Sequence, residues 1–500
     1  MSLRRSRLLP LLLALAVLAA AVALRSLRPE RAPAAFERPS VVVLMTDDQT
    51  LQDMAAMPQT KRLIGSQGAT FSRYYVSTPL CCPSRATYLT GQYGHNNGVL
   101  NNTPPHGGVE ALDAQHTLPV WLQAAGYRTS HIGKYLNGYG LRRAPTVPPG
   151  WSDWHGTVDK STYQMYGYKM FENGVLHRYG NFDVEDPALY QTDVLRQKAV
   201  ESIEATGPGT PLFLSLMFVA PHGEVESPGS TTQPYVRPAP RDVGRFARLR
   251  EPRSFRGEHD ISDKPPYIRR LHVSTRSTAA RVRADFRARR ESLIAVDEAV
   301  AAVVGALERT GRLASTYVLF TSDNGFFQGE HRIQKGKYLV YDPSSHVPLL
   351  IRGPGIPPGT VSGELVANTD LAPTLLDAAG AAADKPVDGR SILPFARDPR
   401  LRTRRPVLHE GLVPGDIDRD GAPRTHKVPR YRAIRTPRYL YVEWQGGARE
   451  LYDRARDPGE THSRHRDPRY RTIRRSLHRE LRRLRDCAGD TCRQEMGPLR

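Results

Sequence analysis

The sequence predicts an α/β fold with a mostly parallel central sheet flanked by helices, and a smaller C-terminal α+β subdomain. Three observations predict it. The runs Val41–Met45, Leu212–Val219 and Tyr317–Phe320 are continuously apolar rather than alternating, as in strands buried on both faces. Helical patterns, Leu189–Ala205 and Arg290–Leu307, lie between them. In the second, Leu293, Val296, Val300, Val303, Val304 and Leu307 recur at helical spacing, and buried strands alternating with helices make a parallel sheet. Each apolar run also ends in polar residues: Thr46-Asp47-Asp48-Gln49, Ala220-Pro221-His222-Gly223 and Thr321-Ser322-Asp323-Asn324-Gly325. In open α/β sheets ligands bind at the carboxyl edge of the strands, so three separate segments converge on one candidate site.

The chain begins with Arg4, Arg5 and Arg7, then an apolar run from Leu8 to Leu24, with Ala21 and Ala23 offering a small-residue cleavage site. This reads as an export signal. At 17 residues the run is just short of a comfortable span, and the alternative is a retained membrane anchor with transient membrane contact. Arg4-Arg5 resembles a twin-arginine signal, although Arg7 stands where an apolar residue is usual. Residues 25–39, rich in Pro, Ala and Arg, read as a linker. Residues 40–395 are expected to form the main domain, which carries the candidate site, and 396–500 the C-terminal subdomain, with strand-like pieces at Arg432–Arg435 and Tyr439–Glu443 and a basic helix over Tyr470–Arg485. Gly223–Arg270, rich in Pro, Arg and Ser with little periodicity, reads as a long functional loop.

A hydrophobic share of 39% excludes wholesale disorder. The net charge of +20 attracts polyanions, although an arginine-rich surface alone produces it too. Four cysteines do not make a disulfide scaffold. Cys487 and Cys492 flank a short glycine-containing loop that a disulfide can close. A bridge between the adjacent Cys81 and Cys82 would be strained, so that pair needs another explanation.

Asp47, Asp48, Asp323 and Asn324 are all-oxygen ligand types, which hard divalent cations prefer, and calcium tolerates irregular sets of them. Taken singly, each pair also reads as a helix cap or a plain turn. No His/Cys spacing of the zinc kind occurs. In Leu80-Cys81-Cys82-Pro83-Ser84-Arg85-Ala86-Thr87-Tyr88-Leu89-Thr90-Gly91, Pro83 and Ser84 suit the first turn of a helix. Cys81 then stands at a helix start that favours an anion, with Arg85 as a fixed cation; the plainer reading is a buried, inert thiol pair.

That run resembles the sulfatase signature, Cys-x-Pro-Ser/Ala-Arg followed by Leu-Thr-Gly. The pattern starts at Cys81, because Pro83 and Arg85 then fall at the required offsets. The resemblance extends along the chain: Asp47-Asp48-Gln49, Gly133-Lys134-Tyr135, Ala220-Pro221-His222 and Thr321–Gly325 are similar to later or earlier family motifs, and Lys337 precedes Tyr341 by four residues. Asp370–Thr374 and Glu450–Asp453 are similar to landmarks of the fold. Thr78–Arg85, Gly133–Asn137 and Ser262-Asp263-Lys264-Pro265 read like the N-acetylglucosamine-6-sulfatase branch. One departure is Leu136, where many arylsulfatases carry a histidine; Asn137 follows it.

The resemblance implies an alkaline-phosphatase-like fold and a sulfuric ester hydrolase acting on a sulfated sugar, such as 6-O-sulfated N-acetylglucosamine, or on an aryl sulfate. It implies that Cys81 is oxidised to formylglycine (3-oxoalanine) by a formylglycine-generating enzyme. One Ca2+ is expected on Asp47, Asp48, residue 81, Asp323 and Asn324. Arg85, Lys134, Lys337 and His222 are the expected catalytic groups, with His222 or Lys337 protonating the leaving oxygen and Asp323 able to take a proton. His331 is a further candidate, and Asn101-Asn102-Thr103 fits a glycosylation sequon. No nucleic-acid partner is expected, and the location is exported: secreted, periplasmic or at the cell surface. The rivals are a phosphonate or phosphate monoester hydrolase of the same superfamily and a non-catalytic binder of sulfated glycans.

Overall fold

The computed structural model describes residues 38–499 apart from 225–235, 251, 253–257, 259, 272–274 and 417–426. The expected signal or anchor, and the linker up to residue 37, lie outside the described residues. Fourteen strands and five helices carry the account. The strands are β1 (Ser40–Thr46), β2 (Ala69–Phe71), β3 (Arg128–Gly133), β4 (Asp153–Thr157), β5 (Tyr168–Glu172), β6 (Val175–Tyr179), β7 (Leu212–Met217), β8 (Thr316–Ser322), β9 (Leu349–Arg352), β10 (Thr360–Ser362), β11 (Val407–Gly411), β12 (Tyr431–Arg435), β13 (Tyr439–Trp444) and β14 (Arg449–Asp453). The helices are α1 (Cys81–Thr90), α2 (Gln191–Glu204), α3 (Arg276–Arg309), α4 (Leu371–Ala379) and α5 (Arg471–Leu484).

The three continuous apolar runs are β1, β7 and β8, and they are neighbours. The large sheet runs β10-β2-β9-β8-β1-β7-β3-β4-β5-β6, and its middle, β8-β1-β7-β3-β4, is parallel throughout. β9, β5 and β6 are antiparallel to their inner neighbours. Alternate residues of β1 enter opposite cores. Val41 and Val43 pack with Ala86 and Leu89 of α1 and Leu371 and Leu375 of α4. Val42 and Leu44 pack with Leu195 and Ile203 of α2 and Leu293, Val296 and Val300 of α3. A strand so covered must be apolar on both sides, which is why its sequence does not alternate.

Helix α3 begins at Arg276 rather than Arg290. Val282, Phe286, Arg289 and Leu293 are all buried at helical spacing, but the surrounding arginines dilute that pattern. Among the described residues no helix is long and apolar enough to cross a membrane.

The C-terminal part is an antiparallel sheet, β11-β12-β13-β14. One face, with Tyr431, Ala433, Leu440, Val442 and Tyr452, packs on Leu80, Tyr338, Leu339 and Tyr341 beside the candidate site. The other, with Leu408, Ile434, Tyr441 and Leu451, is covered by Leu477, Leu481 and Leu484 of α5. Cys487 and Cys492 are disulfide-bonded.

His95 ties this end to the main body. Its Nδ1 lies 2.9 Å from both Glu410 carboxylate oxygens and its Nε2 lies 2.8 Å from the Cys487 carbonyl. With an acceptor at each nitrogen, the imidazolium is the form that satisfies both. Burial alone would lower the His95 pKa, but Glu410, the Cys487 carbonyl and Asp388 outweigh it and hold the value above the ordinary one. Such a group stabilises the fold fully below its unfolded pKa of about 6.5 and loses that contribution as pH rises through the higher folded value. Melting temperature is expected to fall as pH is raised from about 6 through that value, and His95→Gln is expected to flatten this part of the profile in a calorimetric pH series.

Candidate active site

The backbone ladder continues past the strand ends and carries them into register at the site. The Phe218 amide donates to the Met45 carbonyl at 2.8 Å, Asp323 N to Thr46 O at 3.1 Å, and Lys134 N to Met217 O at 3.0 Å. Gly133, with φ of +103°, lies so close to β7 that a Cβ would fall 2.0 Å from the Met217 carbonyl oxygen. Only glycine allows Lys134 to leave β3 at that point.

Cys81 is the first residue of α1, after an extended Leu80, as expected for an anion-favouring helix start. Asn102, inside the sequon, accepts from the Cys82 amide at 2.9 Å and so satisfies one free donor there. Gly91 closes the helix in the left-handed region with φ of 69°, which explains the glycine of the Leu-Thr-Gly run. The two cysteines face different surroundings. Cys82 is buried in the apolar core with Ala86 and Leu89, where burial pushes its thiol up to about 12. Cys81 Sγ lies 2.8 Å from Lys337 Nζ and 3.4 Å from Asp47 Oδ1. Burial, then the Asp47 charge, pushes this thiol far up too, so the unmodified side chain is a protonated thiol rather than a nucleophilic thiolate.

Around Cys81 the structure brings together every expected site residue. Asp47, Asp48 and Asp323 and the cations Arg85, Lys134 and Lys337 are all buried. Lys134 Nζ pairs with Asp47 Oδ2, and Lys337 Nζ pairs with Asp48 Oδ1. Arg85 donates from Nε to Asp323 Oδ2 at 2.7 Å and from Nη1 to the Lys134 carbonyl at 2.9 Å. Burial would raise the Asp47 pKa, but Lys134, His222, Lys337 and Arg85 together hold it far below the usual carboxylate range. Burial and the neighbouring Asp47 charge raise that of Asp323. His222 Nδ1 donates to the Gly223 carbonyl at 2.6 Å, which turns Nε2 toward Asp48 Oδ2, 3.7 Å away.

The donor set suits a hard divalent cation. Asp48 Oδ2 and Asn324 Oδ1 are buried acceptors with no hydrogen-bond partner, an arrangement that otherwise costs about 1–3 kcal/mol each. Ligand atoms of Asp47, Asp48, Cys81 and His222 lie within 4.8 Å of one another. His222, expected as an acid, therefore stands among the possible ligands. Asp323 bonds Arg85 and accepts at Oδ1 from the amides of Asp48 and Asn324 at 3.2 and 2.8 Å. The carboxylate beside residue 81 is Asp47. His331 pairs with Glu258 at 2.7 Å and packs on Tyr341. Leu136 is core, while Asn137 donates to the Tyr163 hydroxyl at 2.6 Å.

Two residues at the site carried no signal in the sequence. The Tyr163 ring lies 4.6 Å from that of His222 and 4.7 Å from Lys134 Nζ. Arg289, one of many arginines in α3, joins all three strand-end segments from behind. It donates to the Asp48 carbonyl, donates to the Pro221 carbonyl at 3.2 Å, and stacks on Phe326 at 4.6 Å. Asp48 has a φ of 70°, strained for a non-glycine residue, so its carbonyl needs a fixed partner. Arg289 is a positioning residue for Asp48 and His222. Arg289→Met is expected to lower stability by about 3 kcal/mol, because two buried carbonyls lose their donor and Asp53 keeps only one of its two cations. It is also expected to raise at least about tenfold the concentration of divalent cation needed for any thermal stabilisation of the protein, measured by calorimetry.

The sulfatase family model matches residues 39–381, and a model described as N-sulphoglucosamine sulphohydrolase, C-terminal, matches residues 329–487. The chain is 38% identical over 391 residues to N-acetylglucosamine-6-sulfatase of Homo sapiens, covering 75% of this chain and 68% of the relative. It is 33% identical over 508 residues to an arylsulfatase of Volvox carteri, covering 92% and 76%. The fold is similar to that of BT4656, solved in complex with its substrate D-glucosamine-2-N,6-O-disulfate, with a TM-score of 0.73 at 24% identity over 89% of this chain and 97% of that one.

Proposed function

The chain belongs to the sulfatase family, and from that premise we propose that it removes sulfate from 6-O-sulfated N-acetylglucosamine at the end of a glycan chain. Hydrolysis of sulfate esters comes with family membership; the sugar, the cofactors and the residue roles are the proposal. The observation that carries it is the place of Cys81. It opens a buried helix, with Lys337 Nζ 2.8 Å away and the charges of Arg85 and Lys134 close enough to act on it, inside the one segment that resembles both the signature and the glucosamine-sulfatase branch.

The reading supplies two groups to this site. Residue 81, oxidised to formylglycine and hydrated, offers two hydroxyls on one carbon, one to attack sulfur and one to release sulfate. A bound Ca2+ offers a Lewis acid and a template for sulfate oxygens. Asp47, Asp48, Asp323 and Asn324 would hold the ion beside residue 81, with Asp323 fixed by Arg85 and by the amides of Asp48 and Asn324. The three buried carboxylates and three buried cations balance formally, so a divalent cation leaves the site positive toward an anionic ester.

The protein's own side chains then do three things. Lys337 orients residue 81 and neutralises charge on the transferring group, and Lys134 and Arg85 do the same from the other side, held by Asp47 and Asp323. His222 keeps its proton-carrying Nδ1 on the Gly223 carbonyl and presents Nε2 to the leaving oxygen. Tyr163 packs its ring on His222 and under the Lys134 ammonium, and its hydroxyl accepts from Asn137. The Cys487–Cys492 bond and the basic-then-apolar start of the sequence support an exported enzyme in an oxidising compartment.

Three results check this reading. Peptide mass spectrometry of enzyme produced with a formylglycine-generating enzyme is expected to find the aldehyde at Cys81 and an unmodified Cys82. Cys81→Ala should lose at least about 10^4-fold in activity, as removal of a covalent nucleophile does, while Cys82→Ala should lose little. Sulfate release from 6-O-sulfated N-acetylglucosamine is expected to exceed that from a small aryl sulfate by at least about tenfold in kcat/KM, roughly 1.4 kcal/mol of transition-state binding. Preference for the aryl sulfate would move the enzyme to another branch of the family and leave sulfate hydrolysis intact.

A further inference from the structure

Between Arg464 and Arg485 the sequence holds ten arginines against Asp467 and Glu480. In the fold these are not scattered. Arg471, Arg475, Arg479, Arg482 and Arg485 are all exposed and fall at steps of four, four, three and three along α5 and its end. At about 100° per residue they occupy roughly one third of the helix circumference and extend about 21 Å. The opposite side carries Leu477, Leu481 and Leu484, buried against the C-terminal sheet.

Most of this charge is unneutralised. Glu480 is taken by Arg483 and Asp467 by Arg469, and Asp486 pairs with Arg485 at the end of the row. Among the described residues Arg479 donates to the Ser476 hydroxyl, at 3.2 Å. No carboxylate among the described residues forms an ion pair with Arg471, Arg475, Arg479 or Arg482. Four like charges at neighbouring helical positions repel one another and destabilise the isolated helix, so the row is not explained by the fold, which needs only the leucine side.

We propose that this arginine row is an exosite for a linear sulfated polysaccharide, the polymeric form of the sulfated-sugar substrate read above, on which the proposal rests. Arginine forks match sulfate oxygens in pairs, and a straight row of about 21 Å fits an extended polyanion better than a compact anion. An anionic membrane surface fits less well. Helices that lie in a membrane interface bury an apolar side there, whereas the apolar side of α5 is already covered by the sheet and its exposed arc holds no aromatic or aliphatic side chain. The row also lies across the four-stranded sheet from Leu80 and Tyr338. It is therefore no wall of the active site and acts only on ligands long enough to reach both places.

The test uses the full-length enzyme with Arg471, Arg475, Arg479 and Arg482 all changed to Gln, and a second variant with all four changed to Lys. Binding of heparin is measured by calorimetry across a salt series, with vesicles containing anionic lipid as a second probe. Turnover is measured on the 6-O-sulfated monosaccharide and on a sulfated oligosaccharide. The Gln variant is expected to bind heparin at least tenfold more weakly, with a shallower salt dependence, and to show a KM raised at least fivefold for the oligosaccharide alone. The Lys variant, which keeps the charge and loses the fork, is expected to bind heparin with a strength between those of the native enzyme and the Gln variant. Unchanged heparin binding in a folded Gln variant overturns the proposal, as does vesicle binding that depends on the row more strongly than heparin binding does. Heparin binding is read without turnover, so failure of the substrate reading shows up separately, as absence of sulfate release from both sugars.

Discussion

Six charged side chains buried at one sheet edge are the constraint on which the rest depends. Moving a single carboxylate or ammonium out of water costs several kcal/mol even after relaxation, and pairing offsets that only when the geometry is good. Here every charge has a designated partner: Asp47 with Lys134, Asp48 with Lys337, Asp323 with Arg85. What pairing does not satisfy, the backbone does. The Asp48 and Asn324 amides point at Asp323, and the Arg85 fork takes the Lys134 carbonyl. The set is therefore rigid, and the two oxygens it leaves over, on Asp48 and Asn324, are where a cation finds ligands already in place.

Such rigidity needs a rigid base. The middle of the sheet is parallel, covered on both faces, and hydrogen-bonded beyond the formal ends of β1, β3, β7 and β8. Each functional side chain that the strands and α1 supply is within five residues of one of those ends or on the first turns of α1; Lys337 is not. Short tethers leave little freedom to lose on ordering the site, so more of the pairing energy appears as stability. Arg289 completes the base by taking two carbonyls that turn outward from the strand ends.

The legible part of this protein follows from that division. Doubly buried strands and amphipathic helices announce themselves through composition and period, so β1, β7, β8, α2 and the second half of α3 could be placed from residues alone. Asp47, Asp48, Asp323, Asn324 and His222 could be gathered because each follows such a strand. Arg289 and Tyr163 could not. Their roles come from where tertiary packing brings a common residue type, and an arginine on a helix rich in arginines has no local mark. The first half of α3 was hidden for a related reason: Val282, Phe286 and Arg289 keep helical spacing, but one of the three buried positions is a charge. Placing His222 among the ligand atoms, and Asp323 on Arg85 rather than beside residue 81, likewise required coordinates, because sequence position fixes the strand end and not the rotamer.

Lys337 is the one cation tethered to neither the sheet nor α1, and its position leads to the C-terminal part of the chain. Tyr341, four residues on, donates to the buried Glu450 at 2.8 Å, which also accepts from Tyr452 and from Trp444 Nε1 at 2.7 Å. The segment of the insertion that reads like the glucosamine-sulfatase branch joins the same cluster. Lys264, fully buried, donates to the Tyr452 hydroxyl at 2.7 Å and the Glu460 carbonyl at 2.6 Å, and it pairs with Glu258, which holds His331. His331 thus closes the loop from the insertion back to the segment bearing Lys337. The small antiparallel sheet is then more than a cover. By fixing Tyr341 and Lys264 it sets the backbone from which Lys337 reaches residue 81, so a site built on the ends of parallel strands draws its last cation from a second sheet.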